Sequence, residues 1–171
     1  GEVGKLFVDA WGIKNMQQPL KLNSISLHRL YLGLQQFSVS NNGRNLLAGG
    51  NDPKDLYLLD INEGRIVSTL GGHTNNYYYA EFNPQGNKII TASSHRPVIW
   101  NYKLGRPDSL LEEAVTFRAL FNPTDGHMLF LNGEGVSITN TASPGTKKRI
   151  RYSNRDAGIY NAVFSANGKR A

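Results

Sequence analysis

The residues of this 171-residue chain that could do chemistry are four histidines, thirteen carboxylates and its serines, because the chain has no cysteine. Without thiols there is no disulfide, no thiolate metal site and no cysteine nucleophile. His28, His73, His95 and His127 are scattered, with none of the short spacings that bring imidazoles onto one metal. Asp60-Ile61-Asn62-Glu63-Gly64 begins like a calcium loop, but its glycine comes too early and no glutamate closes the loop. A strand-connecting turn is expected there instead. Gly49-Gly50 and Gly71-Gly72 lack the following helix that would aim amides at a phosphate, and no Gly-x-Ser-x-Gly elbow presents a serine nucleophile. No cofactor, metal or small-molecule substrate is therefore inferred, and the chain reads as non-catalytic.

Two further clusters invite a binding role. Tyr77-Tyr78-Tyr79 could form a stacking surface, although alternation along a strand lets all three pack internally, and packing is the favoured reading. Lys147-Lys148-Arg149-Ile150-Arg151 carries much of the +6 net charge. It alternates around Ile150 as a solvated outer strand would, and charge on an edge strand deters unwanted pairing. A nucleic-acid role is disfavoured, since nothing resembling an RNA-binding module accompanies the cluster. No apolar run approaches the ~18 residues that span a bilayer, so no membrane association is inferred.

The elements that must position these residues come from an internal repeat. One phrase recurs: an apolar residue, turn-forming residues, a glycine, then an apolar pair. It reads Val39-Ser40-Asn41-Asn42-Gly43 before Leu46-Leu47, and Phe82-Asn83-Pro84-Gln85-Gly86 before Ile89-Ile90. It returns as Phe121-Asn122-Pro123-Thr124-Asp125-Gly126 before Met128-Leu129, and as Phe164-Ser165-Ala166-Asn167-Gly168. The spacing is about forty residues, the period of a propeller blade. Each phrase has the chemistry of a hairpin corner, with Asn, Pro and Ser starting the reversal and glycine supplying a positive φ. Further strands follow at Leu56-Tyr57-Leu58-Leu59-Asp60, Val98-Ile99-Trp100-Asn101 and Val136-Ser137-Ile138-Thr139-Asn140, each leading through a polar turn to a more hydrophilic strand. Four strands per period, the outermost most polar, describe a blade.

Gly72-His73, a spacer and then Trp100-Asn101 resemble the signature of the WD-repeat family. A propeller family with a Phe-Ser-Pro-Asp-Gly-type corner, such as TolB-like repeats, is the alternative. The WD-repeat resemblance implies a structural tetrad-like set of His73, Ser93, His95 and Trp100, with His95 standing where the family has aspartate. It also implies partner contacts on the face holding the start of the first strand and the second-to-third turn. By position these are Asn76, Ser94 and Arg96, with Asp52, Glu134 and Gly158 at comparable places in other repeats.

The expected fold is all-β: an incomplete β-propeller of four-stranded antiparallel blades, three whole and two partial. The blades cover about 28–70, 71–110 and 111–156, with remnants at about 1–27 and 157–171. An open arc exposes the apolar sides of its end blades, so the chain is expected to be part of a longer propeller and to fold poorly when isolated. The expected function is a scaffold that binds other proteins or peptides. The alternative is a propeller that regulates or positions an enzymatic or sensor domain outside this segment. An enzyme with its site in the central channel would have to use Glu81, Arg118 and Asn161 from the innermost strands.

Overall fold

A computed structural model of the chain describes residues 6–12, 20–27, 38–49, 55–71, 77–104, 106–111, 115–140, 143–151 and 161–171. Strands β1 (Leu6–Gly12) and β2 (Leu20–Leu27) form an antiparallel pair. Three four-stranded antiparallel sheets follow, each hydrogen-bonded in chain order. The first contains β3 (Ser38–Val39), β4 (Asn45–Gly49), β5 (Leu56–Asp60) and β6 (Arg65–Leu70). The second contains β7 (Tyr77–Phe82), β8 (Ile89–Ser93), β9 (Val98–Asn101) and β10 (Arg106–Leu110), with a 3-10 turn at Tyr102–Leu104. The third contains β11 (Thr116–Phe121), β12 (His127–Asn132), β13 (Gly135–Asn140) and β14 (Ser143–Arg151).

The hairpin corners form through local bonds that their residue types dictate. The Gly43, Gly86 and Gly168 amides donate to the carbonyls of Ser40, Asn83 and Ser165. These three glycines have φ of 70°, 63° and 67°, where a side chain would be strained. The corner after Phe121 departs from expectation: Gly126 is not in the left-handed region. That phrase is longer, and its reversal is closed by the Asn122 amide donating to the His127 carbonyl and by Asp125 Oδ1 accepting from the His127 amide.

The sheets stack face to face, and the core lies between them. Leu47, Leu56, Leu58 and Leu70 of the first sheet pack with Tyr77, Ala80, Phe82, Ile89, Val98 and Trp100 of the second. From the second sheet's other face, Tyr79, Ile90, Ala92 and Ile99 join one core cluster with Ala119, Leu120, Met128, Leu129, Phe130, Leu131 and Val136 of the third, which also takes in Ala162 and Phe164 beyond it. Because both faces of the second sheet are covered, every residue of β8 is buried, which is why Ile89-Ile90-Thr91-Ala92-Ser93 shows no polar alternation. A fully buried side chain of this size contributes roughly 1.5–3 kcal/mol of burial free energy, so the intersheet seams stabilise the stack. The outer strand β6 is mostly exposed, in keeping with its polar sequence.

Successive sheets share one orientation. Asn41 Nδ2 donates to the Pro84 carbonyl, and Asn122 Nδ2 to the Gly168 carbonyl at 2.9 Å, so corner meets the next corner at one end of the stack. The Phe82 amide reaches Ser38 Oγ at 3.3 Å on the neighbouring inner strand. The result is an incomplete, propeller-like arrangement of antiparallel four-stranded blades.

Candidate interaction surface

Register places the functional candidates at the end of the stack opposite these corners. Tyr77 pairs with Ser93, so the start of β7 lies beside the β8–β9 turn containing Ser94, His95 and Arg96. Thr116 pairs with Asn132, so the start of β11 lies beside the β12–β13 turn containing Glu134. His95, Arg96 and Glu134 are exposed, and Ser94 is half-buried. Asn76, Asp52 and Gly158, the other residues expected on this face, lie outside the described residues, as does His73.

At the same end, the inner strands expose an aromatic pair. Tyr78 is 40% and Phe117 48% exposed, and their rings meet at 6.0 Å with a 46° tilt. The three tyrosines therefore divide. Tyr77 and Tyr79 are buried, with the Tyr77 hydroxyl donating to the Leu70 carbonyl at 2.9 Å, while Tyr78 faces solvent. Packing was expected for all three, but a bulge between Tyr77 and Tyr79 leaves Tyr78 without a place in either seam. Phe117 had no role in the sequence reading. Its signal was its place in the repeat, four residues before Phe121 as Tyr78 is before Phe82.

Directly beneath lies a polar belt. The Tyr79 hydroxyl donates to Glu81 Oε2, the Arg118 guanidinium sits over the Tyr79 ring at 4.9 Å, and Arg118 Nη1 donates to Asn161 Oδ1. The structure thus gathers Glu81, Arg118 and Asn161, the residues weighed for a channel site, from three successive repeats. Burial raises the Glu81 pKa against the opposing effects of Tyr79, Arg118 and the Phe121 amide. Burial, then the Glu81 charge, raises that of Tyr79. These groups are engaged with one another, and the arrangement ties inner strands together.

The buried Trp100 indole donates to Thr91 Oγ1 at 2.9 Å, so its hydroxyl partner on β8 is Thr91 rather than Ser93. Thr91 pairs with Val98, placing it diagonally opposite Trp100 on one face, within reach of the ring. Ser93 Oγ accepts the His95 amide at 3.1 Å and holds the turn instead. The exposed His95 imidazole makes no hydrogen bond among the described residues, and His73, the residue the family's aspartate would anchor, lies outside them.

Asp60 is likewise spent on structure. Its Oδ1 accepts the Asn62 and Glu63 amides at 2.9 and 3.0 Å, and its Oδ2 accepts Arg44 Nε at 2.8 Å. The Glu63 amide and then Arg44 hold its pKa below the usual carboxylate value. The segment is the expected turn, with Gly64 at φ 64°.

A scan against protein-family models finds no match for the chain. Among curated proteins the chain is similar to a WD repeat domain-containing protein 83 homolog of Dictyostelium discoideum, 31% identical over 65 residues. The match covers 37% of this chain and spans only 20% of that protein's length. This similarity and the repeated four-stranded antiparallel sheets are together consistent with WD-like repeats.

Proposed function

We propose that the chain forms part of a non-catalytic β-propeller scaffold whose protein partners dock on the end carrying Tyr78, Phe117 and the exposed turns at 94–96 and 133–134. The observation that carries this reading is the exposed aromatic pair on adjacent inner strands, bordered by polar turns at the same end. Interfaces concentrate their energy in central aromatic anchors surrounded by a polar rim, and rigid blades hold such a surface in place without ordering cost on binding. Ser94, Arg96 and Glu134 belong to that rim, and Asn76, Asp52 and Gly158 are assigned to it by their repeat positions. The WD-repeat similarity supports an interaction role at the coarse level.

The test is quantitative affinity capture with three proteins: the wild type, the Tyr78→Ser/Phe117→Ser variant and the Gln85→Glu/Lys88→Glu variant at the opposite end. At least one specific partner should be lost by the aromatic variant and kept by the corner variant. Equal partner sets for both variants, with folding unchanged, would refute the placement.

A further inference from the structure

Independently of the aromatic end, the three outer strands differ in how they treat their open edges. An outer strand presents unpaired backbone donors and acceptors along one side, and proteins blunt such edges with proline, bulges or charge. β10 contains Pro107, which cannot donate to an added strand. β6 is irregular against β5, with a bulge between Leu58 and Leu59. β14 ends its sheet; Pro144 and a register shift between Ile138 and Asn140 interrupt its first half, but from Lys148 opposite Ile138 to Arg151 opposite Gly135 it runs in unbroken register against β13. Over those last four residues its edge is defended by charge. Lys148 and Arg149 are exposed and have no carboxylate partner among the described residues, and Ile150 beside them is 49% exposed.

Charge is a selective defence. It repels a second copy of β14, whose sequence carries Lys147, Lys148, Arg149 and Arg151, but attracts a strand bearing acids at alternate positions. We infer that the edge of β14 is a docking site for an extended acidic peptide segment of a partner protein, which adds as a fifth strand. Its backbone would pair with β14, its acids would lie on the face of Arg149, and its aliphatic side chains would cover Ile150 on the other face. A nucleic acid could answer the charge but not the free backbone groups, and it would have no use for the exposed isoleucine.

The experiment measures fluorescence anisotropy of a labelled peptide of alternating glutamate and valine against the 171-residue chain, or a longer protein carrying it. The controls are the lysine-for-glutamate peptide, the same acidic peptide N-methylated at alternate backbone amides, and single-stranded oligo-dT. The acidic peptide should bind, the lysine peptide should not, and N-methylation on the pairing edge should abolish binding. Arg149→Glu should weaken the acidic peptide by about fivefold or more, because an attraction becomes a repulsion, whereas Lys148→Glu, on the Ile150 face, should weaken it less. Equal binding of the methylated and unmethylated peptides would overturn strand addition. Preference for oligo-dT, or no binding of the acidic peptide, would overturn the choice of partner. None of these outcomes bears on the aromatic end, which neither variant touches.

Discussion

Gly43, Gly86 and Gly168 share a left-handed backbone, yet they should not respond alike to alanine. A methyl at Gly43 or Gly86 meets nothing within 4 Å, so only the conformational cost applies, about 1–2 kcal/mol. At Gly168 the methyl would run into Asn122 Oδ1 and Thr124 Oγ1. Asn122 cannot simply yield: it is 2% exposed, its Oδ1 accepts both the Thr124 amide and hydroxyl, and its Nδ2 donates to the Gly168 carbonyl. Displacing it breaks the corner-to-corner bond and strands a buried amide, adding about 1–3 kcal/mol. With a urea slope of about 2 kcal/mol per molar, Gly168→Ala should unfold about 0.5–1.5 M below Gly86→Ala. The assay is urea unfolding of the chain, or a longer protein carrying it, followed by circular dichroism. In an Asn122→Ala/Thr124→Ala background, where both clashing side chains are removed, the extra cost should disappear, since its cause is gone. Equal midpoints for the two glycine variants, or an extra cost that survives the removal of both side chains, would refute corner-to-corner locking.

Other variants probe the seams and the belt. Phe130→Ala empties a fully buried position between the second and third sheets and should cost about 3–5 kcal/mol in the same assay. Thr91→Val removes the acceptor of the Trp100 indole and should cost about 1–3 kcal/mol while shifting the Trp100 indole N–H resonance; Ser93→Ala should leave that resonance in place. Glu81 and Asp60 should show opposite pH dependence. The Glu81 pKa is raised above its ordinary 4.5, so its contribution is full below that value and lost as pH rises through the raised folded pKa. Relative to wild type, Glu81→Gln should gain stability across that rise. The Asp60 pKa is lowered from 3.8, so its contribution is present above that value and lost as pH falls through the folded pKa; Asp60→Asn should remove that acid-side loss. Unfolding curves from acid to neutral pH check both.

The repeat was legible because each corner must reverse the chain with the same few residue types, so Asn, Ser, Pro and Gly recur at the blade period. The strands could be read for the same reason, but that β8 is buried on both faces came from the structure. The third corner escaped because one extra residue let Asp125 close the turn without a left-handed glycine. Tyr78 was misplaced because alternation assumes an unbroken ladder, and the bulge beside it is invisible to periodicity. Trp100 met Thr91 rather than Ser93 because the diagonal relation depends on register, which spacing within one strand does not specify. Glu81, Arg118 and Asn161 were each noticed, but that they converge follows only from the common orientation of successive blades.

The most direct test of the interaction reading is site-specific photocrosslinking, with a benzophenone amino acid in place of Phe117 at one end of the stack or Gln85 at the other. Discrete adducts to a partner protein are expected from position 117 and not from position 85. Adducts from position 85 alone, or from neither position in a folded protein, would contradict a partner surface built on the exposed aromatic end.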